Sequence, residues 1–269
     1  MSFICPSQDP ISSSMQCGSR LIPAVSSAIF SAGSAPRSSA RRSASRYITA
    51  TCATNVFVAA TKTFVCQVAA MYLLGLRIAE LRGTIEPDRM AELVTQLKRM
   101  PHCIEELLDN VDAQVQEIAD AHWDKDFFLY LGRHVGLPVA LEGALKLKEI
   151  SYISTDAYAA GEMKHGPIAL LDERTPVVVV ATDSPVLEKV VSNMQEVRAR
   201  GAHVIAVATE GNDEIAQHAE QIIYVPQTDW MLEPLLAVIP LQLLAYRIAR
   251  LRGLNVDQPR NLAKTVTVE

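Results

Sequence analysis

The feature that most restricts the fold is a set of short, continuous apolar runs separated by amphipathic segments in the second half of the chain. Pro176 to Ala181 reads PVVVVA. Consecutive β-branched residues favour a strand, and the lack of a polar face means a strand covered on both sides, as in a parallel sheet. Phe127 to Leu131 (FFLYL), His203 to Ala208 (HVIAVA) and Ile222 to Val225 have the same character. Between them the period is helical. Val139 to Tyr152 is one helix and Pro185 to Arg200, stopped by Gly201, is another. A short helix is expected at Ile215 to Ala219 and a long one over Met231 to Leu251, with Gly253 beyond it. Pro234 and Pro240 interrupt that pattern, so a kink or a late start is expected. Strands alternating with helices predict an α/β fold, a parallel sheet between two helical layers. Ligands in such sheets bind beyond the carboxyl ends of the strands. That edge includes the loop Gly132-Arg133-His134-Val135-Gly136.

Three helices precede the sheet. Val58 to Arg82 is apolar and periodic and stops at Gly83; Pro87 opens a helix that Pro101 is expected to end at Arg99. Ile104 to Ala121 repeats apolar residues at the helical period. Residues 1–54 differ. Asp9 is the sole acid before Glu80, and Ser31 to Arg46 reads SAGSAPRSSARRSASR. Such a tract buries too little apolar surface to offset its ordering entropy. A disordered segment, an organelle transit peptide and out-of-frame translation joined to a true domain all fit it. The expected organisation is therefore 1–54 disordered or aberrant, 55–122 helical, 123–254 the sheet-bearing lobe, and 255–269 a tail without periodicity.

The helix over Val139 to Tyr152 carries the densest chemistry. Glu142, Lys146 and Glu149 are spaced i, i+4, i+7 and share one face. Lys148 lies about 240° around from Glu142, at about 100° per residue. Leu141, Ala144, Leu145 and Leu147 cover much of the rest, so the helix is expected to be largely buried. Buried charges must be paired or face a cavity. The row is thus either a structural ion-pair ladder or an active-site wall. After it comes a Lys164-His165-Gly166-Pro167 turn.

The net charge of −5 gives no reason to expect nucleic-acid binding. Apolar runs such as Leu235 to Ala245 are expected to be too short, or too interrupted, to cross a bilayer. The five cysteines form no C-x-x-C pair and the six histidines are scattered, so reduced thiols in the cytoplasm, no metal and no cofactor are expected.

The stretch LEGALKLKEISYISTDAYAAGEMKHGPIALL and the closing DQPRNLAKTVTVE resemble the isomerase domain of the glutamine–fructose-6-phosphate aminotransferase (glucosamine-6-phosphate synthase) family. The resemblance covers roughly residues 54–269. It implies a sugar-isomerase (SIS) fold of flavodoxin-like lobes, and conversion of fructose 6-phosphate and glutamine to glucosamine 6-phosphate, the entry to UDP-N-acetylglucosamine. It implies that Glu149 moves a proton between C1 and C2 of the open sugar. His165, supplied across a dimer interface, opens the ring, and Lys264 forms an imine with the sugar C2. Lys146 holds a substrate hydroxyl or Glu149 itself, and Val58 and Ala263 line the pocket with backbone. Glu142 is expected to be structural.

Departures from the family matter as much. The family begins with a glutamine-hydrolysing domain opened by a cysteine; here residue 2 is Ser2. Its Ser-x-Ser-Gly-x-Thr phosphate loop has no counterpart in residues 1–57, and Asn55, Phe57 and Ala60 stand where the family has an acid, a glycine and a serine. Without glutaminase and phosphate anchor, the chain is expected to be a truncated, inactive part of the synthase. It is expected to form a homodimer or to pair with a full-length synthase, with fructose 6-phosphate or glucosamine 6-phosphate as its ligand. A non-catalytic sugar-phosphate-binding or partner-binding module, or a phosphosugar isomerase or deglycase, are the alternatives.

Overall fold

The computed structural model describes residues 61–260; Val58, Ala263 and Lys264, and the expected boundary near residue 54, lie outside them. The chain divides into two compact units at Glu105–Glu106. In the first, helix α1 (Thr61–Arg82) closes on Gly83, whose φ of 62° is the left-handed stop a Cβ would disfavour. The amide of Thr84 returns to the Ala79 carbonyl at 3.0 Å. Met71, Leu74, Ile78 and Leu81 are all exposed on this helix.

Helix α2 (Pro87–His122) runs through Pro101, where a break was expected. Proline removes one backbone bond, a loss of about 3 kcal/mol in an exposed helix. Here the apolar face Leu93, Leu97, Met100, Ile104, Leu107, Val111, Val115 and Ile118 continues on both sides of it, and all eight are buried. The apolar stripe outweighs one missing hydrogen bond.

The second unit is a five-stranded parallel sheet in the order β2-β1-β3-β4-β5: β1 (Phe127–Gly132), β2 (Ser154–Ala159), β3 (Pro176–Ala181), β4 (His203–Thr209) and β5 (Gln221–Val225). Strand β2 was not expected. STDAYA has neither a continuous apolar run nor a clear alternation, because it lies at the sheet's edge and pairs with β1 alone. Helix α3 (Gly136–Ser151) follows β1 and packs with α5 (Glu233–Leu251) on one face. Helix α4 (Leu187–Arg198) and the 3-10 turn Ala160–His165 cover the other. Alternate strand residues feed the two layers. Leu129, Leu131, Val177 and Val179 join Met194 and Val197 in a core on the α4 side, as period-two side chains must. The late start of α5 agrees with expectation: Pro234 sits in its first turn, where a missing amide is harmless, and Pro240 lies inside it.

Helices α1, over Lys62–Arg82, and α5 are both long and apolar enough to cross a bilayer by length and composition, contrary to the reading of short apolar runs. Most of the α5 window is buried, as in a core helix, whereas little of the α1 window is.

Candidate functional site

The order 2-1-3-4-5 reverses direction between β1 and β3, and the carboxyl ends of those strands form the crevice where such sheets take ligands. The turn from β1 into α3 is very tight. A Cβ on Gly132 would lie 2.2 Å from the Gly136 carbonyl oxygen, so only glycine allows α3 to start there. This turn fixes the direction of α3 and hence of its charged face.

On that face Lys146 is buried, and its Nζ sits between two carboxylates, 2.5 Å from Glu149 Oε2 and 3.7 Å from Glu142 Oε1. The side chains of Glu142 and Glu149 keep 13% and 14% of their surface, enough for contact with a small molecule. One ammonium serves two acids, so the row has a surplus negative charge. Burial pushes the Glu142 carboxyl above the usual range; Lys146 opposes this and Glu149 adds to it. The spacing argument therefore brought together the right three residues. It erred on the helix's surroundings: Ala144 and Leu147 are buried, but Leu141 and Leu145 are exposed.

The end of α3 is unusual. Tyr152 caps it in the left-handed conformation at φ 59°, where glycine or asparagine is the common choice. Its hydroxyl accepts the backbone amide of Arg260 at 2.7 Å, and the Arg260 guanidinium lies 4.1 Å from the ring centroid. No pattern in the sequence marked this pair.

Among the described residues, no hydrogen bond or ion pair joins His165 to the row. Met163 is fully buried, Lys164 pairs with Glu196 of α4 at 2.7 Å, and the turn they hold leaves the His165 side chain 74% exposed. Its ion-pair neighbour among the described residues is Glu162, 3.9 Å away. Gly166 follows at φ 142°, a region side chains rarely enter. At the sheet's carboxyl edge, Arg133 donates to Asn193 Oδ1 at 3.3 Å, and His134, at φ 55°, has its ring centroid 5.0 Å from that of Trp230. The Glu233 carboxyl is also there, fully buried and bonded by the Thr209 hydroxyl at 3.2 Å. Sequence reasoning passed over Glu233; the signal was an acid at the head of an otherwise apolar helix. Among the described residues no group of three or more His, Cys, Asp or Glu is placed to hold a metal.

Residues 124–252 match the SIS domain model. The chain is 54% identical over 212 residues to the isomerizing glutamine–fructose-6-phosphate aminotransferase of Thermus thermophilus, a match covering 79% of this chain and 35% of that protein. The chain thus spans about a third of the length of such relatives. Among solved structures it is similar to the C-terminal domain of glucosamine-fructose-6-phosphate aminotransferase from Francisella tularensis (TM-score 0.71, 36% identity, 74% of this chain and 56% of that one). It is also similar to glucosamine-6-phosphate deaminase from Thermotoga maritima (TM-score 0.58, 27% identity, 78% and 58%).

Proposed function

We propose, for a chain that belongs to the SIS domain family and is a relative of the glutamine–fructose-6-phosphate aminotransferases, that α3 is the acid–base wall of a phosphosugar site. The reaction it serves is fructose 6-phosphate plus ammonia to glucosamine 6-phosphate, in the cytoplasm. The observation that supports this most is the row Glu142–Lys146–Glu149, with Lys146 held at 2.5 Å from the acid expected to move the proton. A general base must be fixed in direction before it meets a C–H bond. The contact with Lys146 does this for Glu149, which takes a proton at C1 and returns it at C2. Glu142 is the second, more distant carboxylate on Lys146, with a structural role.

Lys264 supplies the amine that forms an imine with the sugar C2. It is the fourth residue after Arg260, a span of at most about 14 Å, and Arg260 is held at Tyr152, three residues past Glu149. His165 opens the sugar ring from a second copy of the chain or from a full-length synthase; a ring this exposed is available to such a partner. Val58 and Ala263 line the pocket with backbone. The closing Asn-Leu-Ala-Lys segment favours the synthase over a plain isomerase or deglycase.

No Ser-x-Ser-Gly-x-Thr stretch occurs in residues 1–269. Phosphate contacts are strong, charge-assisted bonds whose energy positions the reacting end of a substrate. The expected result is therefore no glucosamine 6-phosphate when the purified chain is given fructose 6-phosphate and ammonia. Turnover by the chain alone would refute its inactivity. If Glu149→Gln then left that turnover intact, the role of Glu149 would fall too.

A second reading has its own support. The exposed residues Met71, Leu74, Ile78 and Leu81 of α1 are spaced by three and four, an open apolar stripe suited to pairing. On this reading the chain is a partner-binding module.

A further inference from the structure

The described part of the chain ends at a point fastened by a single side chain. After α5, Gly253 turns the backbone at φ 69°. The Asn255 side chain then accepts the amides of Asp257 and Gln258 at 3.0 and 3.2 Å, which bends the chain again. Two residues later Arg260 reaches Tyr152, which grips it twice. The ring faces the guanidinium at 4.1 Å and the hydroxyl takes the backbone amide at 2.7 Å. The two contacts restrain different parts of Arg260, so together they set both its position and its direction.

Tyr152 adopts a left-handed backbone to do this. A glycine there would close α3 without strain, and its amide would still reach the Lys148 carbonyl, now 3.2 Å away. A tyrosine is thus unfavourable as a helix stop and useful only for what its side chain holds.

We propose that Tyr152 is a positioning residue. It clamps Arg260 and so holds the last of the described residues against the end of α3 that bears Glu149. The catalytic meaning of that placement rests on the reading of α3 as an acid–base wall; the clamp itself is measurable without any substrate.

The experiment compares the full chain with Tyr152→Gly and Tyr152→Phe by amide hydrogen exchange. A cation–ring contact and one hydrogen bond together correspond to a change on the order of tenfold. The Arg260 amide is expected to exchange faster by that factor in Tyr152→Gly. Tyr152→Phe, which keeps the ring and loses the acceptor, should fall between. The amides of Leu147 to Ser151 should be unchanged, since glycine caps the helix as well. Equal exchange at Arg260 in wild type and Tyr152→Gly would overturn the proposal. So would loosening of α3 together with Arg260 and no rescue by phenylalanine, because Tyr152 would then act on the helix alone. Either result is independent of whether the chain turns over sugar, so failure of the clamp is distinct from failure of the proposed activity.

Discussion

Glu233 carries the clearest pH signature of any single residue. It has no exposed surface, its second carboxylate oxygen lacks a partner among the described residues, and burial pushes its pKa up to about 8. The Thr209 hydroxyl opposes the shift and the Asp183 carboxylate adds to it. The folded state therefore holds a proton that the unfolded chain releases near 4.5. Stability from this source is complete below that value and is lost as pH rises toward about 8. Replacing Glu233 with Gln should be close to neutral at pH 5 and should stabilise the fold by about 2 kcal/mol above pH 8, at roughly 1.4 kcal/mol per unit discounted for relaxation. Urea denaturation across that range checks it, and parallel pH profiles for the two proteins would refute it. Residue-scale legibility varied with distance along the chain. Glu142, Lys146 and Glu149 were found because one helix turn relates them. Tyr152 and Arg260 were not, because their contact joins positions 108 apart and depends on where two turns send the backbone.

Elements were legible where burial was uniform. Strands β1, β3 and β4 are continuous apolar runs, because the inner strands of a parallel sheet are covered on both faces; β5 lies at an edge and was found from its Ile222–Val225 run alone. At Pro101 a local rule gave way to a longer-range one, since the apolar face of α2 persists through it. The β1–α3 connection is where an element depends on one atom. Gly132→Ala places a Cβ 2.2 Å from a backbone carbonyl oxygen that no side-chain rotation can move. The substitution should destabilise the second unit by about 3 kcal/mol or more, a size associated with overpacking against fixed groups. Thermal melting of the variant measures this. A melting temperature within a degree or two of wild type would mean that the turn can relax and that α3 is less constrained than its start implies.

At the scale of the whole molecule, α1 and the sheet-bearing unit pose different problems. The α1 stripe leaves four large apolar side chains in water, more than a small helical unit ordinarily exposes. Self-association or capture of a full-length synthase is the expected outcome. Met71→Glu with Ile78→Glu should shift sedimentation toward the monomer by raising the dissociation constant at least about tenfold, a modest loss for two buried apolar anchors. Both changes lie on exposed positions, so the circular dichroism spectrum should stay the same. An unchanged sedimentation profile would assign the stripe no role in association.

The sheet, by contrast, protects its margins. An unpaired strand edge is a template on which another chain can add. At one margin the Gln114 side chain of α2 donates to the Ile222 carbonyl of β5, occupying an acceptor an incoming strand would need. At the other margin β2 reads STDAYA, with little apolar surface to reward a newcomer. The composition that hid β2 from a search for strands is the same one that makes it a poor seed for aggregation. The β5 margin has no such protection in its own sequence, QIIYV, and depends on α2 staying in place. Partial unfolding that frees Gln114 would expose an adhesive edge before the core itself opens.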